Sequence, residues 1–293
     1  MSQVTTMPER PLFSVIMPAY RMGAYIGTAL RSVAAQSYSG WEVLVVDDHA
    51  PDDGTARIVQ EFALSHPKAR VEFIRHTQNQ GVSAARNTAM AAAKGRYLAF
   101  LDPDDVWAPW HLERTWKRFA ENPGTQVVTG PVVRFQDPPA KVFRKELVLP
   151  DWKVEHFPHS LAIHNFLQPS ATVVLRDVID EVGGFTTDPL LQHIEDYELW
   201  VRLAKAGKQF AFHREPTSGY RKHAEAASAH LERMTILDHR LRELHKGFFQ
   251  AGQARMIWLA FDRLDQQRSG GMIHLFRNIK ARFNKPKYDW LDR

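Results

Sequence analysis

Arg96-Tyr97-Leu98-Ala99-Phe100-Leu101-Asp102-Pro103-Asp104-Asp105-Val106-Trp107 is the stretch on which the reading of this chain turns. Residues 97–101 form an apolar, aromatic-rich run of strand length, with Gly95 just ahead of it. The run ends on the carboxylates Asp102, Asp104 and Asp105. A buried strand that stops on acids delivers negative charge to the carboxyl edge of its sheet, where open α/β sheets bind ligands. Clustered carboxylates repel one another unless something positive joins them. A hard divalent cation carrying a phosphorylated ligand suits the place, because magnesium prefers one or two carboxylates plus substrate phosphates. The same short pattern also fits a solvated acidic turn or a helix N-terminus, where Asp collects.

The residues upstream bear on that choice. Residues 13–17 read as a first strand, stopped by Pro18, which cannot donate to a ladder. Residues 24–36 read as a helix with Ile26, Leu30 and Val33 on one face. Residues 41–46 are nearly all apolar, the pattern of a strand buried on both faces, and they too end in acids, Asp47 and Asp48. Turn chemistry at residues 51–55 leads into a helix to about Ser65, then a short strand at 71–75 and an alanine-rich helix at 81–94. This alternation predicts an α/β fold, a mainly parallel sheet with right-handed crossovers and helices on both faces. Both acidic strand ends then lie on one edge.

Downstream, the pattern predicts a helix at 111–120, a strand at 126–135, an irregular segment at 137–168, a short strand at 172–175 and a helical turn or two at 176–182. A helix at 195–206 buries Leu199, Trp200 and Leu203 and is closed by Gly207, and residues 209–213 form a last strand. Three helices make up the tail, at 230–249, 253–267 and 272–283, with Ser269-Gly270-Gly271 breaking the second from the third.

Bulk properties narrow the class of protein. The 293 residues are 44% hydrophobic and 24% charged, the composition of an ordinary globular protein. The absence of cysteine rules out disulfides and thiolate metal sites. Residues 1–11 hold no signal-peptide core, and no apolar run approaches the roughly 18 residues of a membrane span, so a cytoplasmic protein is expected. The net charge of +5 suits anionic partners. No Gly-x-Gly-x-x-Gly follows the first strand and no phosphate loop ends in Gly-Lys-Ser/Thr, which argues against a dinucleotide dehydrogenase and a phosphate-loop NTPase.

Several motifs together resemble family 2 glycosyltransferases. Val15-Ile16-Met17-Pro18-Ala19-Tyr20, Val45-Val46-Asp47-Asp48 and Asp52-Asp53-Gly54-Thr55 resemble the family's opening. Asn79-Gln80-Gly81-Val82-Ser83-Ala84-Ala85-Arg86-Asn87 and the stretch quoted first, with its Asp-x-Asp-Asp, follow in the family's order. Gly183-Gly184-Phe185, then Glu195-Asp196-Tyr197-Glu198-Leu199-Trp200, and Tyr220-Arg221-Lys222-His223 resemble its second half. The resemblance spans about residues 12–228. Two departures stand out: Arg21 where the family often has Asn, and His49-Ala50-Pro51 in place of its usual Gly-Ser-Thr type of loop. Both lie where base and ribose are expected.

That resemblance implies the glycosyltransferase A (GT-A) fold, Rossmann-like and built to bind a nucleotide sugar, in a catalytic domain at 1–228. Its nucleotide-sugar half would cover about 12–107 and its acceptor half about 108–228, with a helical C-terminal extension at 229–293. It implies a nucleoside-diphosphate sugar donor, Mn2+ or Mg2+, and inversion at the anomeric carbon. Pro18, Ala19 and Tyr20 would line the nucleobase pocket, Asp48 would hydrogen-bond the base, and Arg86 would flank base or diphosphate. Asp102 would meet the ribose or a metal water, Asp104 would ligate the metal, and His223 would reach the diphosphate or metal. Asp196 would be the general base. The expected activity moves a sugar, from UDP-sugar, to a hydroxyl of a glycan or lipid-linked glycan in surface polysaccharide synthesis, with no nucleic-acid partner.

Plainer readings stand beside these. Glu195 and Asp196 also suit a helix N-terminus, and His223 also suits a surface or packing position. Trp107, Trp110 and Trp116 read as core or cleft wall, and His156, His159 and His164 lack a zinc spacing. The tail reads as helices packing on the domain. A second reading is a peripheral contact at the cytoplasmic face of the membrane through Phe276, Ile279 and Phe283 among Arg277, Lys280, Arg282, Lys285 and Lys287. Two rivals remain at this level: a nucleotidyltransferase making a sugar nucleotide, and a non-catalytic nucleotide-binding module.

Overall fold

Runs of Val, Ile, Leu and Phe without polar alternation become the centre of a sheet, because both of their faces are covered. The computed structural model describes residues 12–136, 145–147, 149–222 and 231–269. Its first half alternates β1 (Phe13–Ala19), α1 (Ile26–Ala34), β2 (Trp41–Asp47), α2 (Thr55–Ser65), β3 (Val71–Arg75), α3 (Val82–Ala92) and β4 (Tyr97–Phe100). Then come β5 (Val106–Trp107), α4 (His111–Glu121), β6 (Val127–Thr129), β7 (Val132–Phe135), β8 (Lys145–Leu147) and α5 (Asp151–Glu155). The remainder is β9 (Val173–Leu175), α6 (Arg176–Val182), α7 (Glu195–Lys205), β10 (Phe210–Phe212), β11 (Ser218–Arg221), α8 (Leu231–Leu244) and α9 (Lys246–Ser269).

Seven strands form one sheet in the order β10-β6-β9-β4-β1-β2-β3. β1 runs parallel to β2 and β4, β2 to β3, and β10 to β6, while β9 is antiparallel to both its neighbours. This is the expected mixed, mainly parallel sheet with helices on both faces. Alternate residues of each central strand enter different cores. Phe13, Val15, Met17, Val43 and Val45 pack with Ile26, Leu30 and Val33 of α1. Ile16, Leu44, Val46, Leu98 and Phe100 pack with Ala85 and Ala89 of α3 and Leu199, Trp200 and Leu203 of α7. A second sheet, β5-β11-β7-β8, follows the carboxyl end of β4.

Three expectations about elements need correction. Pro18 does not end β1: the strand runs to Ala19, with Pro18 opposite Val46. β4 pairs only with Phe13 to Ile16, so at the level of Pro18 that side asks for no donor. The single strand expected at 126–135 is two strands in different sheets, β6 and β7, divided by Gly130 and Pro131. A Cβ on Gly130 would lie 2.7 Å from the Cβ of His213, so the chain turns where β10 passes closest. In the tail, the break expected between 249 and 253 falls at His245 instead, between α8 and α9. Gly252, which falls in the expected break, is a contact point: a Cβ there would lie 2.5 Å from Ala162 Cβ.

Leu237 and Leu241 of α8 and Phe249 of α9 are buried in the larger core, so this part of the extension packs on the domain. No helix among the described residues is long and apolar enough to cross a membrane. His223, the helix expected at 272–283 and its basic residues lie outside the described residues.

The amino edge of the sheet carries its own buried charge. Glu42, fully buried in β2, accepts hydrogen bonds from Ser14 Oγ (2.5 Å), Lys94 N (2.5 Å), Gly95 N (3.0 Å) and the Arg70 guanidinium. It ties β1, β2 and the entry to β4 into one unit.

Candidate active site

At the carboxyl edge the strand ends open onto a cavity of about 970 Å³. Pro18, Ala19 and Tyr20 from the end of β1 line it, as do Asp48, Arg86, Asp102, Asp104 and Asp196. Every expected site residue among the described residues therefore meets in one place.

Asp48 is buried, and its carboxylate is largely engaged by its own chain. Oδ1 bonds His76 Nδ1 (2.7 Å) and accepts from Gln80 N (2.8 Å), and Oδ2 accepts from Gly81 N (2.7 Å). It thereby shapes the loop that starts α3. A carboxylate has about four lone-pair sites, so one acceptor position remains.

Arg86 projects from α3 into the base of the site. Nη1 donates to Glu195 (2.7 Å) and Nη2 to Asp102 (2.8 Å), and the guanidinium lies 5.1 Å from the centre of the Phe185 ring. Burial alone would favour its neutral form, but Asp102 and Glu195 more than offset this and hold the group above its ordinary value. Phe185 is set by Asn87, the next residue on α3, whose amide bonds both Phe185 O and Phe185 N at 2.9 Å. Gly184 before it has φ +72, and a Cβ there would lie 2.8 Å from Asn87 Oδ1, so glycine fits where a side chain would not.

The acidic turn after β4 divides its labour. Asp102 donates its N–H to Ser170 Oγ (3.0 Å) and gives a carboxylate oxygen to Arg86. Asp105 points away from solvent and accepts Arg221 N (2.9 Å), while Arg221 Nε donates to Asp104 O (2.6 Å). Burial, then Asp104 and Asp102, push the Asp105 carboxyl well above its usual range. Asp105 thus ties the turn to β11. Among the described residues no group of three or more His, Asp or Glu side chains is placed to hold a metal ion. The oxygen donors Asp102 and Asp104 at the cavity fit a hard divalent cation that takes its other ligands from phosphates and water.

Asp196 begins α7. Oδ1 accepts the N–H of Tyr197 (2.7 Å) and Oδ2 accepts Asn165 Nδ2 (3.1 Å). Burial and the neighbouring Glu195 carboxylate push Asp196 up to about 7, against the pull of Arg86. A carboxyl near neutrality beside a cavity is poised to take a proton.

Several cavity residues escaped the sequence reading. Asn165 and Gln168 come from the segment read as irregular, and Met234, Thr235 and Asp238 come from α8, in the tail. Arg134 of β7 and Tyr220 of β11 complete the wall on the second sheet. A cation inside a strand of Val and Phe was a usable signal for Arg134; nothing periodic marks Asn165.

A family model described as glycosyl transferase family 2 matches residues 14–183. The chain is 33% identical over 199 residues to the putative teichuronic acid biosynthesis glycosyltransferase TuaG of Bacillus subtilis, covering 68% of this chain and 74% of that protein. It is 28% identical over 194 residues to the UDP-Glc:alpha-D-GlcNAc-diphosphoundecaprenol beta-1,3-glucosyltransferase WfgD of Escherichia coli, covering 66% of this chain and 70% of that one. Among solved structures, S. aureus TarS 1-349 in complex with UDP-GlcNAc superposes with a TM-score of 0.61 at 20% identity, over 77% of this chain and 65% of that chain. The mannosyltransferase PcManGT from Pyrobaculum calidifontis, in complex with GDP-Man and Mn2+, superposes with a TM-score of 0.60 at 19% identity, over 93% of this chain and 79% of that one. These likenesses carry the GT-A fold.

Proposed function

The chain belongs to glycosyltransferase family 2, and we propose that it is an inverting enzyme that moves one sugar from a UDP-sugar to a hydroxyl of a glycan or lipid-linked glycan in cell-surface polysaccharide synthesis. One observation carries the reading: Asp196, pushed up to about 7, faces the same cavity as Asp102 and Asp104. The names of TuaG and WfgD support the pathway class, and the UDP-sugar of WfgD supports the donor.

The residues divide the reaction between them. Pro18, Ala19 and Tyr20 line the base, and Asp48 offers it the remaining acceptor position. Asp196 takes the proton of the acceptor hydroxyl as that oxygen forms its bond to the anomeric carbon; a placed general base is typically worth 10²–10⁴-fold. The bond from that carbon to the phosphate oxygen breaks on the opposite face, which inverts the centre. Arg86 holds Asp102 and Glu195 in register, so the two ends of the site keep one spacing. Asp104, with Asp102 in support, would hold a divalent cation, which would supply Lewis-acid stabilisation of the departing diphosphate. In this reading residues 12–107 serve the donor and 108–228 the acceptor. A second reading of the tail, beside helices that pack on the domain, is a peripheral contact at the cytoplasmic face of the membrane through Phe276, Ile279 and Phe283 among Arg277, Lys280 and Arg282; unchanged binding to anionic vesicles after deletion of 270–293 removes that reading.

The test is a panel of nucleotide sugars with Mn2+, following slow donor hydrolysis without acceptor and the anomer formed on transfer. Hydrolysis of a UDP-sugar and an inverted product are expected. A retained anomer removes the single-displacement mechanism. Failure of every nucleotide sugar to be hydrolysed or to raise the melting temperature removes the enzymatic reading.

A further inference from the structure

We propose that Arg134 is a binding residue for a diphosphate ester, on the wall that the second sheet gives the cavity. The inference rests on the transferase reading above and goes beyond it to a residue and a ligand group.

Strand register places the side chain. β7 and β11 run parallel, with Arg134 opposite Tyr220 and Phe135 opposite Arg221. Val133 and Phe135 pack into a small core with Val106 and Ala108, and the Arg221 guanidinium lies 4.6 Å from the Phe135 ring centre. Side chains alternate along a strand, so Arg134 and Tyr220 take the other face. Both line the cavity, and the Arg134 guanidinium sits 6.0 Å from the centre of the Tyr220 ring. Arg221, next to Tyr220, holds Asp104 O and the Asp105 carboxylate. The strand that carries Tyr220 is therefore bonded to the acidic turn that offers the metal ligands.

Charge then singles Arg134 out. The cavity is walled by carboxylates, among them Asp102, Asp104, Glu195 and Asp196. Among the described residues two arginines line it. Arg86 spends its guanidinium on Asp102 and Glu195. Arg134 forms no ion pair among the described residues, and its Nε–H is buried without an acceptor. A buried donor without a partner is costly unless a ligand brings the acceptor. The planar guanidinium matches phosphate oxygens in a two-point contact that an ammonium does not reproduce. A diphosphate ester is the anion this enzyme class handles at the acidic turn. Two sources share that chemistry: the nucleoside diphosphate of the donor, and a diphosphate linking an acceptor glycan to its lipid.

The test uses the full chain with Mn2+ and the variants Arg134→Gln and Arg134→Lys. Binding of UDP, GDP and uridine is measured by calorimetry, and binding of polyprenyl diphosphate and polyprenol in detergent micelles by fluorescence. Tenfold or greater weakening of nucleoside diphosphate in R134Q, with uridine unchanged and R134K partly restored, establishes the donor source. The same weakening for polyprenyl diphosphate alone, with polyprenol unchanged, establishes the acceptor source. Diphosphate affinities equal to wild type in both assays overturn the proposal, and so does a loss shared equally by uridine and polyprenol. Melting curves confirm that each variant is folded, and R134K carries the test if R134Q is not. A wild-type protein that binds no nucleoside diphosphate sinks the transferase reading itself, an outcome distinct from a variant that matches a binding-competent wild type.

Discussion

Glu42 and Asp196 are carboxylates at opposite edges of one sheet, and both are withdrawn from bulk water, yet their acidities move in opposite directions. Burial raises the Glu42 carboxyl first, but the Ser14 hydroxyl, the Lys94 N–H and Arg70 outweigh it, and the group ends below its usual value. Asp196 has the N–H of Tyr197 and the amide of Asn165, and a like charge beside it in Glu195; it ends near 7. Burial alone does not set ionisation; the number of donors aimed at the charged form decides it. Glu42 is a strut whose lone pairs are used up by the fold. Asp196 keeps capacity facing a cavity. If that division is right, each carboxylate governs a property that the other leaves alone.

The largest expected effect is on rate. Asp196→Asn should lower transfer by roughly 10²–10⁴-fold while UDP binding and the melting temperature stay at or above wild type. Steady-state kinetics beside calorimetry read both, and full activity in this variant removes the general-base role. Glu42→Gln is the mirror experiment. Its amide oxygen can still accept Ser14 Oγ, Lys94 N and Gly95 N, but an NH2 group replaces the oxygen that accepts Arg70, and losing one partner of such a buried pair costs on the order of 3 kcal/mol. Denaturant melts should show that loss, with turnover per folded molecule unchanged. A Glu42 variant that loses turnover at full stability would break the comparison.

Acidity gives the next test, because the two groups pull stability in opposite senses. Glu42 has a lowered folded value, so its contribution is complete above the unfolded value of about 4 and is lost as pH falls through the folded one. Asp196 has a raised folded value, so its cost is complete above about 7 and fades as pH falls from there toward about 4. Between pH 8 and 5 the share of stability set by Asp196 should rise on acidification, against the loss from the buried neutral His111 and His213, and Asp196→Asn should remove that share. Transfer should run the other way and rise with pH through about 7, since only the ionised carboxyl accepts a proton. Melting temperature and kcat measured across one buffer series separate the two slopes.

How far the sequence foretells this division depends on where each partner comes from. β1, β2 and β4 are legible because burial on both faces removes alternation, and Asp48, Asp102 and Asp104 are legible because they end those strands. Asp196 needs family resemblance, since an acid at a helix start is common. The Glu42 strut has only a faint mark, one acid inside an apolar run, and its partners Ser14 and Lys94 lie 28 and 52 residues away. The division of 126–135 into β6 and β7 is marked by Gly130-Pro131, but nothing local assigns the two pieces to different sheets. α8 reads as a tail helix, yet it lines the cavity through Met234, Thr235 and Asp238 because Leu237 and Leu241 pack into the shared core.

Asn165 is the residue through which the comparison can be sharpened with the smallest change. Its Oδ1 accepts Leu167 N (3.1 Å), which orients the amide and turns Nδ2 toward Asp196 Oδ2. The turn just before it is held by Arg242 of α8, which donates to Ala162 O (2.9 Å) and Ile163 O (3.0 Å). Asn165→Ala takes one donor from the charged form of Asp196, moving that carboxyl further from the Glu42 condition. One such hydrogen bond is worth about 0.5–1.5 kcal/mol. The pH at half-maximal kcat should therefore rise above about 7 by up to one unit, with kcat at neutral pH down roughly twofold to fivefold and the donor KM unchanged. A packing defect would lower the whole profile without moving its midpoint. Such an unmoved midpoint would show that Asn165 has no part in setting the acidity of Asp196, and that desolvation and Glu195 alone keep it apart from Glu42.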